Sequence, residues 1–375
     1  MKISVVIPTY NRLDSLKRVF AALEKQSLSF TDFEVIVVSD GAADGTNDYL
    51  RTFNPPYPIK PIFQTNAGVA AARNAGIQAA TGDLLLFLDD DVVPTPELLA
   101  QHLNTHSNFG ESDTVVVLGP MLTPPDFEMA PWVQWEQTML VKQYEAMHNG
   151  EWEPTARQFF TGNTSLAKRH LLMSGGFDTR FRRAEDVELA YRLADAGLKF
   201  VFNGQAVGYH YAERSFDSWL NTPYAYGVND VIFAQEKGQI WLLPVIWREF
   251  RGRNSLVRGM TNLCLGRPLI SKISTTALAK IALFSHKLHQ SPITNMAFSG
   301  IFNLRYYEGV ADQLGGRDSF FKGLNQVNVT KPVDQHTNSV VLHDVPPNTI
   351  VVGGPVKVVG HDSERIVENL SSSDY

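Results

Sequence analysis

The sequence predicts an α/β fold with a mostly parallel central sheet flanked by helices. Two observations support this class: short, continuously apolar runs alternate with helical patterns through the first hundred residues, and polar residues directly follow several of these runs. Strands that are apolar throughout are buried on both faces, so helices must cover both sides of the sheet. Ligands of such sheets bind beyond the carboxyl ends of the strands, which makes the polar residues there the first candidates for a site.

Runs of β-branched and other apolar residues predict four buried strands. They cover residues 3–7, 35–38, 62–63 and 84–88. Apolar residues at helical spacing predict a helix over residues 13–23, and an alanine-rich helix is expected over residues 68–80 with Asn66 as its N-cap. A third helix should begin at Pro96 with Thr95 as its N-cap, because proline is favoured in the first helical turn.

The composition restricts the class of protein. The chain has 375 residues, of which 44% are hydrophobic and 19% charged, as in ordinary globular proteins. Its net charge of −6 argues against a nucleic-acid binder, and its one cysteine, Cys264, excludes an internal disulfide and a cysteine zinc cage. The first apolar run stops at Pro8, and no apolar stretch approaches the roughly 20 residues that span a bilayer, so we expect a cytoplasmic protein.

Three consecutive carboxylates, Asp89, Asp90 and Asp91, follow the fourth predicted strand. Such a cluster is costly beside a buried strand unless a positive charge balances it. Hard oxygen ligands suit Mg²⁺ or Mn²⁺, especially when a diphosphate supplies further oxygens. An acidic turn or a helix cap is the alternative. Asp40 and Tyr10 end two other strands at the same sheet edge, which favours a metal and nucleotide site over either alternative.

Two residues in the less regular middle of the chain could also take part in chemistry. Asp186 lies at the start of a predicted helix, where the helix dipole should keep its carboxylate ionised and able to act as a general base. An ordinary first-turn acid is the simpler alternative, but the neighbouring Glu185 and Glu188 exceed what helix capping requires. His210 could complete a Mn²⁺ shell, although its spacing alone favours a structural role.

An ordered set of motifs runs through the first half of the chain. They lie at residues 5–12, 39–46, 66–68, 72–77, 87–91, 175–178 and 185–189. They read, in order, Val-Val-Ile-Pro-Thr-Tyr-Asn-Arg, Ser-Asp-Gly-Ala-Ala-Asp-Gly-Thr, Asn-Ala-Gly, Ala-Arg-Asn-Ala-Gly-Ile, Phe-Leu-Asp-Asp-Asp, Gly-Gly-Phe-Asp and Glu-Asp-Val-Glu-Leu. As a set they resemble the motifs of family 2 glycosyltransferases, which have the GT-A fold; the fifth is similar to the Asp-x-Asp motif of that family and the last two to its acceptor-side Glu-Asp motif.

The resemblance implies a role for each donor-side residue. Thr9, Tyr10 and Asp40 would hold the base of a nucleotide-sugar, usually uracil, and Asp90 would contact the ribose. Ser39 replaces the first aspartate of the usual Asp-Asp pair, which places base or ribose recognition in question. The remaining donor-side residues would be Asn66, Arg73 and Asp89.

The resemblance also implies the metal site and the catalytic base. Asp91 would bind the Mn²⁺ or Mg²⁺ that bridges the diphosphate, with His210 as a further ligand. Asp186 would be the base of a single-displacement, inverting transfer to a saccharide or lipid-linked acceptor. The Gln-x-x-Arg-Trp motif of processive synthases is absent, which favours transfer of one sugar at a time. The acceptor-side residues would be Gly162, Asn163 and Glu185.

The predicted organisation has three parts. A GT-A domain covers residues 1–235, with a nucleotide-binding half at 1–112 and an acceptor half at 113–235. A helical extension follows at 236–328. Residues 329–375 are rich in valine, proline and glycine and resemble the last coil of a left-handed β-helix acyltransferase, which we interpret as a relic or an association element. A homo-oligomer is left open.

Two further questions concern alternative activities and membrane contact. A sugar nucleotidyltransferase should carry a glycine-rich loop with basic residues after the first strand, and residues 8–11 provide none; a nicotinamide dehydrogenase should carry Gly-x-Gly-x-x-Gly there. An apolar stripe with neighbouring lysines would suit peripheral binding to the inner face of a membrane, but we expect it to pack on the domain. The stripe comprises Ile270, Ile273, Ala277, Ile281, Phe284 and Leu288.

Overall fold

A seven-stranded sheet lies at the centre of the protein, whose computed structural model describes residues 2–109 and 113–326. The strand order is β3-β2-β1-β4-β8-β6-β9, and a small second sheet has the order β5-β10-β7. The strands are β1 (Ile3–Thr9), β2 (Phe33–Asp40), β3 (Ile59–Gln64), β4 (Leu84–Leu88), β5 (Val92–Pro94), β6 (Val115–Leu118), β7 (Met121–Leu122), β8 (Asn163–Ala167), β9 (Lys199–Phe202) and β10 (Gly208–His210).

Thirteen α-helices surround these sheets within the described residues. They are α1 (Leu13–Leu23), α2 (Thr46–Thr52), α3 (Val69–Ala79), α4 (Leu98–Asn108), α5 (Pro131–His148), α6 (Lys168–Met173), α7 (Glu185–Asp195), α8 (Phe216–Glu236), α9 (Leu242–Gly252), α10 (Ser255–Cys264), α11 (Pro268–Lys287), α12 (Ser291–Gln313) and α13 (Arg317–Gln326). A short 3₁₀ helix covers Ala156–Gln158.

The pairing of the central sheet confirms the predicted mostly parallel class. β1 pairs in parallel with β2 and β4, and β2 pairs in parallel with β3, whereas β8 runs antiparallel between β4 and β6. Apolar side chains leave both faces of the sheet and form two separate core layers under the helices. Parallel pairing therefore brings the carboxyl ends of β1, β2 and β4 to one edge.

Two of the predicted helix caps are wrong. Gly68, not Asn66, is the residue before α3, and the Asn66 side chain instead donates to the Asp40 carbonyl oxygen at 2.9 Å. The helix expected from Pro96 begins at Leu98, while the Thr95 hydroxyl donates to the Val207 carbonyl oxygen at 2.9 Å. Both polar side chains donate a hydrogen bond to a backbone carbonyl oxygen that is distant in sequence. The residues next to them in the sequence do not indicate this partner.

The helices after α8 form a layer beside the sheet domain. α8 and α12 approach closely where each carries a glycine: a Cβ on Gly227 would lie 2.1 Å from the Tyr306 carbonyl oxygen, and one on Gly309 would lie 2.0 Å from that of Tyr224. Aromatic residues of α9, α12 and α13 pack into one cluster around Tyr307. The predicted helical extension is thus observed up to residue 326, and the β-helix-like tail at 329–375 lies outside the described residues.

The apolar stripe of α11 does not pack on the domain, which corrects the expectation above. Ile273, Ile281, Phe284 and Leu288 are all exposed, and Ile270 is half-buried. The face of α11 that packs inward consists of small residues: Ser271, Thr275, Ala279, Ala282 and Ser285. Small side chains let α11 lie close to α12, and this leaves the large apolar side chains outside. None of the described helices is long and apolar enough to cross a membrane.

Candidate active site

Polar residues from three strand ends meet at one edge of the central sheet. Thr9 ends β1, Asp40 ends β2, and the three aspartates follow β4. The Thr9 hydroxyl donates to Asp90 Oδ2 at 2.7 Å, so residues 81 positions apart are in direct contact. Tyr10, the next residue after β1, is 51% exposed at this edge. The predicted convergence of the donor-side residues is therefore present in the structure.

Asp91 lies beside the side chains of Arg12, which is cationic, and His210, which could bind a metal. β10 pairs antiparallel with β5, and this register puts His210 opposite Val92, next to Asp91. His210 Nε2 lies 3.6 Å from Asp91 Oδ1, and the Tyr211 amide donates to the Asp91 carbonyl oxygen at 2.9 Å. The Arg12 guanidinium contacts the other oxygen of Asp91. The small sheet thus explains why a histidine about 120 residues further along the chain reaches the aspartates.

The surroundings of Asp90 and Asp91 shift the pKa values of these two carboxyl groups in opposite directions. Burial, together with the negative charge of Asp91, raises the pKa of Asp90 to about 7 despite the hydrogen bond from Thr9. Burial opposes ionisation of Asp91 as well, but His210 and Arg12 outweigh it and lower the pKa of Asp91 to about 2. At neutral pH Asp91 is therefore the fully charged member of the pair.

The residues at this edge fit a divalent cation. No cluster of three or more His, Cys, Asp or Glu side chains that could hold a metal occurs within residues 2–109 and 113–326. Asp91 and His210, however, lie close enough together to bind one cation side by side. Mg²⁺ and Mn²⁺ accept one or two protein ligands when phosphate oxygens and water supply the rest. Such a site would need a diphosphate to be complete.

Arg73 joins the aspartate cluster to the start of α7. It is 4% exposed, and its Nη2 lies 2.9 Å from Asp89 Oδ1 while its Nη1 lies 2.7 Å from Glu185 Oε1. A guanidinium can bind two carboxylates at once because its donors form a planar fork. The bridge holds the end of β4 and the first residue of α7 in a fixed relation.

We expect that Arg73→Met will lower the free energy of unfolding by about 3–5 kcal/mol, because it leaves a buried charge of Glu185 unpaired. Urea unfolding at neutral pH measures this change. Arg51→Ala is the matched control: Arg51 makes an exposed ion pair with Asp48, and its loss should cost less than about 1 kcal/mol. Equal effects of the two substitutions would contradict the structural importance of the bridge.

Asp186 lies at the first turn of α7, as predicted, but its electrostatics differ from the prediction. Burial, together with the charge of Glu185, raises the pKa of Asp186 to about 7; Arg73 and the 2.8 Å hydrogen bond from the Val187 amide offset this only in part. The helix N-terminus therefore does not keep the pKa of this carboxyl low. A general base works best with a pKa near the working pH, and Asp186 meets that requirement.

The backbone before Asp186 is strained. Ala184 precedes α7 with φ 58°, in the left-handed region that residues with a Cβ rarely adopt. Strain of this kind costs about 1–3 kcal/mol and tends to occur at functional sites. Here it turns the chain so that Glu185 points to Arg73 while Asp186 points to a neighbouring cavity.

A cavity of about 140 Å³ adjoins Asp186. Helices α5, α8, α9 and α12 supply most of its wall, which is largely apolar. Its lining residues include Trp135, Glu136, Val187, Tyr226 and Phe302. Only Val187 belongs to one of the sequence motifs; the other residues come from three separate helices, which short sequence patterns do not connect. The Asp186 carboxylate thus lines an apolar cavity, into which an acceptor could extend.

Asp40 and Asn66 form one local network. Asp40 Oδ1 accepts hydrogen bonds from the Ala67 amide at 2.8 Å and the Gln64 side chain at 2.7 Å, and Oδ2 accepts from the Gly68 amide at 2.8 Å. Together with the bond from Asn66 to the Asp40 carbonyl oxygen, these contacts fix the loop before α3. Asp40 therefore shapes the sheet edge through this loop, and its contact with a base stays a prediction.

All three residues expected on the acceptor side occupy other positions. Gly162 lies beside Asp89: a Cβ there would come within 3.1 Å of Asp89 Oδ2 and 2.5 Å of Met121 Sδ. Asn163 is buried, and its amide group bonds to His102 Nε2 at 2.9 Å and to the carbonyl oxygens of Pro120 and Ala206. Asn163 thus joins strands inside the core and does not face the cavity. Glu185 likewise faces Arg73.

Arg12 is the residue that the sequence analysis did not assign. Its Nη1 contacts Asp91 and lies 3.5 Å from Asp90 Oδ1, so it provides the positive charge nearest to these two carboxylates. Its position three residues beyond the end of β1 was the available signal, because that strand end faces the same edge. A basic residue there also suits the phosphates of a donor.

Comparisons with known proteins agree with this geometry. Residues 4–163 match the family model of glycosyl transferase family 2. This region therefore resembles a family 2 glycosyltransferase domain. Over 236 residues the chain is 35% identical to a validoxylamine A glucosyltransferase of Streptomyces hygroscopicus subsp. jinggangensis, an alignment that covers 55% of this chain and 54% of that protein. The chain spans about half the length of the curated relatives of this kind that it matches.

Two solved structures resemble the chain over most of its length. TarS 1–349 of S. aureus in complex with UDP-GlcNAc is 19% identical with a TM-score of 0.52, and the match covers 84% of this chain and 92% of that one. The mannosyltransferase PcManGT of Pyrobaculum calidifontis, in complex with GDP-Man and Mn²⁺, is 16% identical with a TM-score of 0.56 and coverages of 82% and 86%. These likenesses show that the chain has the GT-A fold.

Proposed function

We propose that the protein transfers one sugar from a nucleotide-sugar to an acceptor hydroxyl with inversion of configuration. The observation that carries this proposal is the Arg73 bridge, which connects Asp89 of the aspartate cluster to Glu185, the neighbour of Asp186. It links the donor edge of the sheet to a carboxylate whose pKa suits a general base. A binding module would have no use for such a base.

The donor would lie along the carboxyl ends of β1, β2 and β4. The exposed ring of Tyr10 can stack on a base, Asp90 can accept a hydrogen bond from a ribose hydroxyl, and Arg12 can contact the phosphates. We expect a UDP-sugar; the complexes of TarS with UDP-GlcNAc and of PcManGT with GDP-Man support a nucleotide diphosphate sugar in general.

Asp91 and His210 would hold a Mn²⁺ or Mg²⁺ ion together with the diphosphate oxygens. The Mn²⁺ in the PcManGT complex supports this assignment. When bound, such an ion neutralises charge that develops on the departing diphosphate. The low pKa of Asp91 keeps it ionised for this role throughout the neutral range, and Arg12 beside it could also contact the phosphates.

The reaction would be a single displacement at the anomeric carbon of the sugar. The Asp186 carboxylate takes the proton of the acceptor hydroxyl, the acceptor oxygen forms a bond to the anomeric carbon, and the bond from that carbon to the diphosphate oxygen breaks. The electron pair of the broken bond leaves with the nucleoside diphosphate. Attack on the face opposite the leaving group inverts the configuration.

The acceptor would approach through the cavity beside Asp186. The cavity is mostly apolar, and two of its acidic lining residues are held by other side chains: Asp230 by Arg157 and Tyr306, and Glu136 by Arg214. The apolar wall from Trp135 and Phe302 suits either the face of a sugar ring or a lipid chain. A saccharide or lipid-linked acceptor is therefore proposed.

A donor screen tests the proposed function. We expect the purified protein with Mn²⁺ to release a nucleoside diphosphate slowly from one of the UDP-, GDP- or dTDP-sugars, and to release much less after a chelator removes the metal. Thermal shift with each donor provides an independent measurement of binding. A sugar nucleotidyltransferase would instead release pyrophosphate from a nucleoside triphosphate and a sugar phosphate, and this result would contradict the proposal.

A further inference from the structure

The outer face of α11 carries large apolar side chains that are not covered by any described residue. Ile273 is 68% exposed, Phe284 66% and Leu288 54%. Their spacing puts them on one side of the helix, over a length of about 28 Å from Leu269 to Leu288. We call the set Leu269, Ile273, Ala277, Ile281, Phe284 and Leu288 the α11 apolar face.

The fold does not require this face to be apolar. α11 is fixed to α12 through its opposite side, where Ser285 Oγ lies 2.9 Å from Thr294 Oγ1 and Ser271 donates to Glu308. Exposed large apolar residues continue around the turn into α12, at Ile293 and Met296. Contiguous apolar patches of this kind mark interaction sites in soluble proteins.

The charged residues of α11 itself are all basic. The helix α11 (Pro268–Lys287) contains three lysines and no Asp or Glu, in a chain whose net charge is −6. Lys272, Lys280 and Lys287 lie on α11 itself, and all three are exposed. No ion pair engages them within the described residues. The face therefore combines exposed apolar side chains with three exposed lysines on the same helix.

We propose that the α11 apolar face binds the surface of an anionic lipid bilayer. A helix lying in a membrane interface has this combination: apolar side chains enter the acyl boundary, while flanking lysines contact anionic headgroups. A second copy of the chain fits less well, because a symmetric contact through this face would place the same lysines opposite one another. The helix binds on the surface and does not span the bilayer.

The position of α12 links this face to the cavity beside Asp186. One side of α12 packs against α11, and Phe302 and Tyr306 on the same helix line the cavity. The cavity thus lies about one helix layer, roughly 8–10 Å, behind α11. A hydroxyl held near the membrane surface would be within reach. Membrane binding itself does not depend on the proposed transfer reaction.

Co-sedimentation of the full chain with vesicles tests the proposal. We expect at least about tenfold stronger binding to vesicles of phosphatidylcholine mixed with phosphatidylglycerol than to phosphatidylcholine alone, and a loss of this difference at high salt. Phe284→Ser with Leu288→Ser should weaken binding at least about tenfold. Gln at all three lysines of α11 should weaken it similarly.

Matched controls use exposed residues elsewhere. Met173→Ser with Ile240→Ser removes two apolar side chains that are 82% and 78% exposed, and Lys25, Lys60 and Lys199 to Gln removes three exposed charges. Both controls should bind like wild type. The proposal is overturned if the wild type fails to bind, if the controls lose as much affinity, or if sedimentation velocity shows that this face forms a dimer instead. If the protein does not bind vesicles but still turns over the donor, only the membrane proposal is contradicted and the proposed transfer reaction is not.

Discussion

Asp186→Asn is expected to lower the rate of nucleoside diphosphate release by at least about a hundredfold while donor affinity stays near that of wild type. Asparagine keeps the size of the side chain but cannot accept the proton of an attacking hydroxyl or water. Within the described part of the chain, no hydrogen bond joins Asp186 to the strand ends that would hold the donor; its carboxylate accepts from the Val187 amide. Turnover with the donor found by the screen gives the rate, and isothermal titration gives the affinity.

Asp195→Asn is the control for this experiment, since Asp195 lies on the same helix and is exposed at its far end. It should leave both quantities unchanged. Full turnover by the Asp186→Asn protein would show that the assigned base is wrong. An equal loss of turnover in the Asp195→Asn protein would show that the substitutions disturb helix α7 as a whole and that the loss does not come from removing a base.

The pH dependence of turnover provides a second readout for the same residue. Burial and the charge of Glu185 raise the pKa of Asp186 to about 7, so the carboxylate form is lost as the pH falls through this value. The rate should therefore decrease about tenfold per pH unit below 7 and level off above it. The residual activity of the Asp186→Asn protein should lack this acidic limb.

Asp91→Asn is expected to abolish the Mn²⁺-dependent part of donor binding and to lower turnover by at least about a hundredfold. Asp91 is the carboxylate with the pKa of about 2, so it carries the charge that a divalent cation requires. Its neighbour His210 cannot hold the ion by itself. Isothermal titration of the nucleoside diphosphate with and without Mn²⁺ measures the effect.

Asp83→Asn is the matched control for Asp91→Asn. Asp83 lies just before β4 and Asp91 just after the other end of that strand, and Asp83 is exposed. The same chemical change at the opposite end of the strand should alter neither affinity nor turnover. If Asp91→Asn retains Mn²⁺-dependent binding, the metal lies elsewhere or is not used.

The sequence predicted the first four strands, their order along the chain and the mostly parallel class, because apolar runs and helical spacing are local signals. It also placed Asp186 at the start of a helix. It did not predict the pKa of Asp186 correctly, since that depends on burial and on Glu185 and Asp89. The helix caps at Asn66 and Thr95 were wrong for a related reason: each side chain bonds to a distant backbone group.

The sequence also did not predict which face of helix α11 packs against the rest of the protein. Its alternation of large apolar, small and basic residues is visible in the sequence and predicts an amphipathic helix. Periodicity identifies the faces of a helix but does not say which face its neighbour covers. The structure shows that α12 covers the small residues, which leaves Ile273 and Phe284 in solvent.

By itself, the sequence determined which polar side chains stand at the carboxyl ends of the strands. Order along a parallel sheet is enough to bring Thr9 and Asp90 to one edge. Only the tertiary structure decided their partners: antiparallel pairing of β5 with β10 placed His210 beside Asp91, and the Arg73 bridge tied Asp89 to α7. Contacts between distant segments depend on packing, and packing is not encoded in any short stretch of the chain.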